Sequence, residues 1–133
     1  MVARGRYLVQ ITGCNSCHTP GYTKNEGAVD ESLWLTGSPI GWNGPWGTTY
    51  PPNLRLTAQG MTEDQWLVFA RAPKRPPMPW FALRDMTQED VRAIYRYLKH
   101  LGPAGQPAPA ALPPGVDPKA PVFRAPELPP PAR

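Results

Sequence analysis

Cys14-Asn15-Ser16-Cys17-His18 contains the only two cysteines of the chain, with a histidine directly after the second. C-x-x-C-H is the attachment signature of a c-type haem. The chemistry needs this spacing. Two thiols add across the two vinyl groups of a porphyrin, and the adjoining imidazole of His18 is then held under the iron as its proximal ligand. Covalent attachment keeps the group bound in a domain too small to enclose it by packing alone. Three other readings of the same residues stand beside this one. A disulfide across so tight a loop constrains little of the unfolded chain. A thioredoxin-like redox pair sits near a βαβ pattern, which this sequence lacks. A zinc site would take Cys14, Cys17 and the sterically awkward His18, with only His100, on a distant helix, as a fourth ligand.

On either side of this stretch lie three helical patches. The first runs from about Ala3 to Thr12, with Tyr7, Leu8 and Ile11 on one face and Gly13 as a stop. The second starts with Thr62 as N-cap and Gln65 three positions on, a capping box, carries Trp66, Leu67, Phe69 and Ala70, and ends before Pro73. The third starts with Thr87 as N-cap and Asp90 in the reciprocal position. Its apolar stripe is Val91, Ile94, Tyr95, Leu98 and Leu101, and Gly102-Pro103 terminates it. Between Thr19 and Gly60 neither the helical nor the strand period appears, and that stretch holds seven glycines, five prolines and Trp34, Trp42 and Trp46. Three short helices around such a middle bury little apolar surface against each other, so something large and apolar other than protein is expected at the centre.

A six-coordinate iron needs a ligand opposite His18, from Met1, Met61, Met78, Met86 or His100, unless the site is open. Met61 and Met86 each precede a capping threonine, where an apolar residue staples to N4, here Trp66 and Val91. Met1 is terminal, and His100 sits in a last helical turn, where it favours the helix dipole. Met78 lies in Lys74-Arg75-Pro76-Pro77-Met78-Pro79-Trp80-Phe81, where three prolines restrict the backbone around one thioether. A loop rigid before binding loses little entropy on ligation. Met78 is therefore the expected distal ligand. A His/Met pair raises the potential and closes the iron to outside ligands, which suits electron transfer and opposes catalysis at the metal.

Composition bounds the rest. The chain has 133 residues, 20 of them proline and 12 glycine, about a quarter together and near the level of low complexity. Its 41% hydrophobic content still allows a core. No apolar run approaches the roughly 20 residues that span a bilayer, and no secretion-signal pattern opens the chain, so any such signal is expected to have been removed or replaced. A net charge of +4, scattered along the chain, argues against nucleic acid. Eleven of the 20 prolines fall between Pro103 and Pro131, dividing a body, residues 1–101, from a proline-rich tail, residues 102–133. The tail is expected to form neither helix nor ladder and to run as extended polyproline II. It reads either as a solvated linker or as a strap over the domain or a partner, with Val122-Phe123 as an apolar anchor.

The chain resembles class I c-type cytochromes, particularly the modules in cytochrome subunits of bacterial membrane-bound alcohol dehydrogenases. The resemblance rests on Gly5-Arg6-Tyr7-Leu8-Val9, on Cys14-Asn15-Ser16-Cys17-His18, on Gly47-Thr48-Thr49-Tyr50-Pro51-Pro52-Asn53-Leu54, and on Met78-Pro79 followed by Asp85, Asp90 and Tyr97-Leu98. It covers residues 3 to 101. Arg55 departs from it, since those subunits place a threonine there, and they carry three haem modules where this chain has one C-x-x-C-H. The resemblance implies a small all-α cytochrome c fold, with irregular haem-wrapping loops and the proline-rich extension outside it. It implies that the first and last helices pack together, with Gly5 allowing close approach near Tyr97. It implies that Pro52-Asn53-Leu54 lies beside His18, the Pro52 carbonyl accepting the Nδ1 proton, although Pro20 is an alternative acceptor. Tyr50, Trp42, Trp46 and Arg71 are candidate donors to the haem propionates, or else core packing. Arg71, Lys74, Arg75 and Arg84 flank the Met78 loop, as an electron port for an acidic partner or as plain solvated surface.

These residues lead to the expectation of a monohaem one-electron carrier, free or as part of a redox complex. It would stand between a dehydrogenase-type donor and an oxidase or cytochrome acceptor, in the periplasm, with one haem c on Cys14 and Cys17. The alternative is a haem enzyme or gas sensor whose Met78 is displaceable, and a third reading is a purely structural metal or interaction module.

Overall fold

A computed structural model describes residues 1–125. Six helices and a small sheet follow one another along them: α1 (Val2–Ile11), α2 (Cys14–His18), a 3-10 turn at Glu31–Leu33, β1 (Gly41–Gly44), β2 (Gly47–Thr49), α3 (Leu54–Gln59), α4 (Glu63–Arg71), α5 (Trp80–Asp85), α6 (Gln88–Leu101) and β3 (Val122–Arg124). Helices α4 and α6 start at their capping threonines. The Thr62 N–H donates to Gln65 Oε1 at 2.9 Å while the Gln65 N–H donates to Thr62 Oγ1 at 3.2 Å, both halves of a capping box. The Asp90 N–H donates to Thr87 Oγ1 at 3.1 Å. Along α6, Val91, Ile94, Tyr95 and Leu98 are buried, and Leu101 packs at the edge of the same core.

Helix α1 buries a different face from the one its apolar residues suggest. Tyr7 and Ile11 are 51% and 57% exposed, whereas Gly5, Leu8 and Val9 are buried. The cause is Gly5. A β-carbon there would stand 2.1 Å from the Ala93 carbonyl oxygen and 2.8 Å from Tyr97 Cβ, so α1 and α6 meet backbone to backbone at this point. A glycine adds nothing to an apolar period, yet it sets the rotation of the helix: positions 5, 8 and 9 face α6, and Tyr7 turns out beneath the Arg4 guanidinium.

Two expectations need correction. The fold is mostly helical, as expected, but not all-α: β1 and β2 form an antiparallel hairpin in the register Trp42↔Thr49, Asn43↔Thr48, Gly44↔Gly47, and β3 adds a parallel strand on the other side of β1. Strands of three and four residues are too short to display a two-residue period. The tail also forms a ladder after all, because Val122-Phe123-Arg124 is a proline-free run able to donate its N–H groups. Upstream, the Leu112 N–H donates to the Thr48 carbonyl at 2.8 Å and the Thr48 N–H donates to the Leu112 carbonyl at 2.9 Å. The Phe123 ring lies 4.8 Å from that of Trp42. The final part of the tail, including the prolines at 129–131, lies outside the described residues.

The core joins Leu8 and Val9 of α1, Ala58 of α3, Trp66 and Ala70 of α4 and the α6 stripe to Trp34 and Leu35 from the loop. The described residues form six helices where the sequence pattern marks three, the additional ones being the short α2, α3 and α5. Trp66 Nε1 donates to the Val91 carbonyl at 3.1 Å and Trp34 Nε1 to the Val29 carbonyl at 3.0 Å, so each buried indole has its polar end satisfied.

This packing can be tested in two ways. Gly5→Ala gains about 1 kcal/mol of helix propensity but forces a methyl into the Ala93 carbonyl, an overpacking cost of about 1–3 kcal/mol. Urea unfolding of the haem-loaded protein should therefore show a net loss of stability, and a gain would refute the close approach. The second test concerns acid. The Tyr97 hydroxyl donates to the Glu31 carboxylate, which Arg6 also pairs, and the Tyr97 bond holds the Glu31 carboxyl below its ordinary range. A depressed folded-state pKa contributes stability above the unfolded value and loses it as pH falls through the folded one. Thermal midpoints should stay level from pH 7 to about 5 and fall below about 4.5, and Glu31→Gln should make that fall shallower.

Candidate functional site

Gly13, at φ 83, turns the chain out of α1 and into α2, which carries Cys14, Cys17 and His18. The two thiols are not joined to each other. Burial pushes both upward, so they stay protonated rather than forming the low-pKa thiolate that disulfide exchange uses. Among the described residues no three His, Cys, Asp or Glu side chains gather to hold a metal ion, and His100 is exposed on α6, which removes the ligand set of a zinc site.

His18 is buried, and its Nδ1 lies 3.0 Å from the Pro52 carbonyl oxygen. A carbonyl only accepts, so Nδ1 carries the proton and Nε2 keeps its lone pair. Burial lowers the pKa of the ring, with the Pro52 bond acting in the opposite sense, and the imidazole is neutral at neutral pH. That is the ligating form. Pro52 provides the acceptor and Pro20, exposed, does not.

The acceptor is pinned from several directions. The Ser38 N–H donates to the Pro51 carbonyl at 3.1 Å, the Leu54 N–H donates to the Leu35 carbonyl at 3.0 Å, and the Gly37 N–H donates to the His18 carbonyl at 2.7 Å. Gly37, at φ 89, is pressed on the same segment, since a β-carbon there would lie 2.9 Å from the Pro51 carbonyl oxygen. Asn53 is buried and caps α3, Oδ1 accepting the Leu56 N–H at 3.1 Å. Leu54 packs at the edge of the core. On α2 itself, Thr19 Oγ1 donates to Asn15 Oδ1 at 2.8 Å and accepts the Leu35 N–H at 2.8 Å, fixing the helix end behind His18.

Met78 sits apart from the other methionines. Met61 and Met86 pack against the protein core and Met1 is exposed, whereas Met78 lines a groove of about 260 Å³ with Pro76, Pro77, Pro79, Trp80 and Phe81. Thr49 Oγ1 donates to the Pro76 carbonyl at 2.8 Å and so ties this loop to β2. Of the expected propionate donors, Trp46 Nε1 already donates to Thr49 Oγ1 at 3.2 Å, Trp42 stacks on Phe123, and Tyr50 lies against Gly41. Arg71 donates through Nη2 to the Met86 carbonyl at 2.7 Å, while its Nε is buried without a partner. Among the described residues only Arg71 Nε and Asn15 Nδ2 are in that condition. Buried donors left open in this way fit a polar group that the polypeptide itself does not supply.

The basic residues around the loop are mostly engaged. Lys74 Nζ donates to the carbonyls of Phe69, Ala70 and Ala72, capping the end of α4, and burial lowers its pKa. Arg84 pairs with Asp85. Arg75 alone of the four has no hydrogen-bond or ion-pair partner among the described residues. Sequence reasoning missed Thr19, Gly37 and Thr49, and it saw Arg55 only as a departure. Buried Arg55 donates to the carbonyls of Ser32, Leu101 and Gly102, tying the end of α6 to the 3-10 turn. A buried arginine with no acidic neighbour in sequence offers no signal of this role.

Thr19→Val removes the acceptor of the buried Leu35 N–H and the donor to Asn15 while keeping the shape. It should cost about 2–4 kcal/mol in chemical denaturation. A loss below 0.5 kcal/mol, on the order of an ordinary surface change, would show that these bonds do not hold α2 in place.

The family model for cytochrome c matches residues 2–102. The gluconate 2-dehydrogenase cytochrome c subunit of Pantoea cypripedii is 31% identical over 119 residues, covering 77% of this chain and 26% of that protein. The fructose dehydrogenase cytochrome subunit of Gluconobacter japonicus is 28% identical over 116 residues, 81% of this chain and 23% of that one. A nicotinate dehydrogenase subunit of Pseudomonas putida is 27% identical over 122 residues, 83% and 9% respectively. The chain thus spans about a quarter or less of the length of these relatives. No solved structure matches it.

Proposed function

The chain belongs to the cytochrome c family, and on that footing we propose that it is a monohaem one-electron carrier, either free or a module of a redox complex. Its relatives are subunits of gluconate, fructose and nicotinate dehydrogenases, which supports a dehydrogenase-type donor and a downstream oxidase or cytochrome acceptor. The observation that carries the reading is the His18 ring, with Nδ1 held by Pro52 and Nε2 left as a lone pair beside two unlinked thiols. The cytochrome c family implies a covalent haem c, and when bound it supplies a one-electron Fe(III)/Fe(II) couple.

Cys14 and Cys17 would anchor the group through their sulfurs, and His18 would hold its iron through Nε2. Met78 would supply the second iron ligand, a soft thioether that favours ferrous iron. Arg71 Nε, Trp42 Nε1 and the Tyr50 hydroxyl are the donors available to a propionate, whereas Trp46 Nε1 is already engaged by Thr49. Residues 1–101 are the module that holds the group, and residues 102–133 are a proline-rich extension whose described part, up to residue 125, pairs with β1 and with Asn53. Attachment of haem to cysteine takes place outside the bacterial cytoplasm, so the working compartment is the periplasm. No helix among the described residues is long and apolar enough to cross a membrane.

Carbon monoxide discriminates this reading from a haem enzyme or gas sensor. The ferrous wild-type protein should not bind it at neutral pH, whereas Met78→Ala should bind it readily and show a lower potential. Ready binding by the wild type would favour the sensor or enzyme reading instead.

A further inference from the structure

Past Gly102 the tail makes contacts that neither extend a helix nor fill the core. Asn53 Nδ2 donates to the Ala104 carbonyl at 2.7 Å and to the Gln106 carbonyl at 3.1 Å. The two carbonyls converge because Gly105 between them takes φ 73, a conformation open to glycine at little cost. A β-carbon on Gly105 would lie 3.1 Å from Asn53 Nδ2 and 3.3 Å from Thr36 Cβ. Asn53 thus uses both ends of its amide, Oδ1 on α3 and Nδ2 on the tail.

The Pro52 carbonyl belongs to the peptide bond that joins Pro52 to Asn53. That bond is planar, so fixing Asn53 also fixes the direction in which the Pro52 oxygen points, which is toward His18 Nδ1. The geometry points to the tail as a tuning clasp: Asn53, tied to the Ala104 and Gln106 carbonyls, is a positioning residue that aims the Pro52 oxygen at His18, and through it the proline-rich extension sets the reduction potential. This inference rests on the electron-carrier reading. A hydrogen bond accepted from Nδ1 makes the imidazole a more basic ligand, and a more basic ligand favours ferric iron. Loosening the clasp should therefore raise the potential. The effect is opposite in sign to losing the distal thioether.

Two variants of the full-length haem-loaded protein separate this from a merely structural role. Gly105→Val prises the turn away from Asn53 and leaves Asn53, Pro52 and His18 unchanged. Asn53→Ser keeps a hydroxyl to cap α3 but cannot reach the tail. Each should shift the reduction equilibrium about threefold toward ferrous, roughly 30 mV upward at 59 mV per tenfold. Each should also speed solvent exchange of the His18 Nδ1 proton in the ferrous state roughly tenfold, as read by nuclear magnetic resonance. Gly5→Ala, which loosens a distant contact, should move neither readout. Should Gly105→Val fail to fold, Asn53→Ser decides alone. Unmoved or lowered potentials with unchanged proton exchange overturn the inference, as does an equal shift in Gly5→Ala. A wild-type protein that takes up carbon monoxide readily overturns the electron-carrier reading and this inference with it. A closed wild type with unmoved variants overturns this inference alone.

Discussion

An imidazole carries its two nitrogens on one rigid ring, so holding one of them aims the other. In this chain the held nitrogen is His18 Nδ1 and the holder is the Pro52 carbonyl, 34 positions away in sequence. Bringing those two segments together is a long-range task, and the irregular middle of the chain serves it. Gly37, Ser38 and Leu35 grip the Pro51–Leu54 segment from one side, Thr19 joins Leu35 to α2, and Asn53 starts α3 from the other. Short backbone bonds hold this segment where regular secondary structure is absent.

Apolar packing supplies the frame for those bonds. Helices α1 and α6 cross at Gly5, α4 lies on α6 through Trp66, and Arg55 gathers the carbonyls at the end of α6. A net hydrogen bond contributes about 1 kcal/mol, but a buried carbonyl left open costs about 1–3 kcal/mol, so Arg55 matters more for what its loss would expose than for the bonds it makes. The surface ion pairs that join α4 to α6, Arg92 with Glu63 and Arg96 with Glu63, contribute little by comparison. Lys74 is a similar case beside the Met78 loop. It looks like docking charge in the sequence and serves as a helix cap in the fold.

The parts legible in the sequence were those with local chemical grammar. Thr62 with Gln65 and Thr87 with Asp90 marked two helix starts, and C-x-x-C-H marked the turn that carries both thiols and His18, because each signal is complete within four or five residues. The rotation of α1 was not legible, since it depends on a glycine that meets a backbone 88 positions later. The hairpin and β3 were too short to show a period, and the pairing of Leu112 with Thr48 depends on the tail returning across the body. The Pro52 acceptor was reached only through family likeness, and Thr19, Gly37 and Thr49 by no route at all. Their roles are fixed by tertiary contact, which local propensity does not encode.

On the proposed reading, the thiols of Cys14 and Cys17 and the aimed His18 ring together hold one porphyrin. Intact-mass spectrometry of the denatured protein, expressed in a host competent for cytochrome maturation, measures this directly. The expected product is a coloured protein whose mass exceeds that of the polypeptide by one haem and keeps that excess after acid and organic extraction. A colourless product with the mass of the bare chain, or a haem that extraction removes, would contradict it.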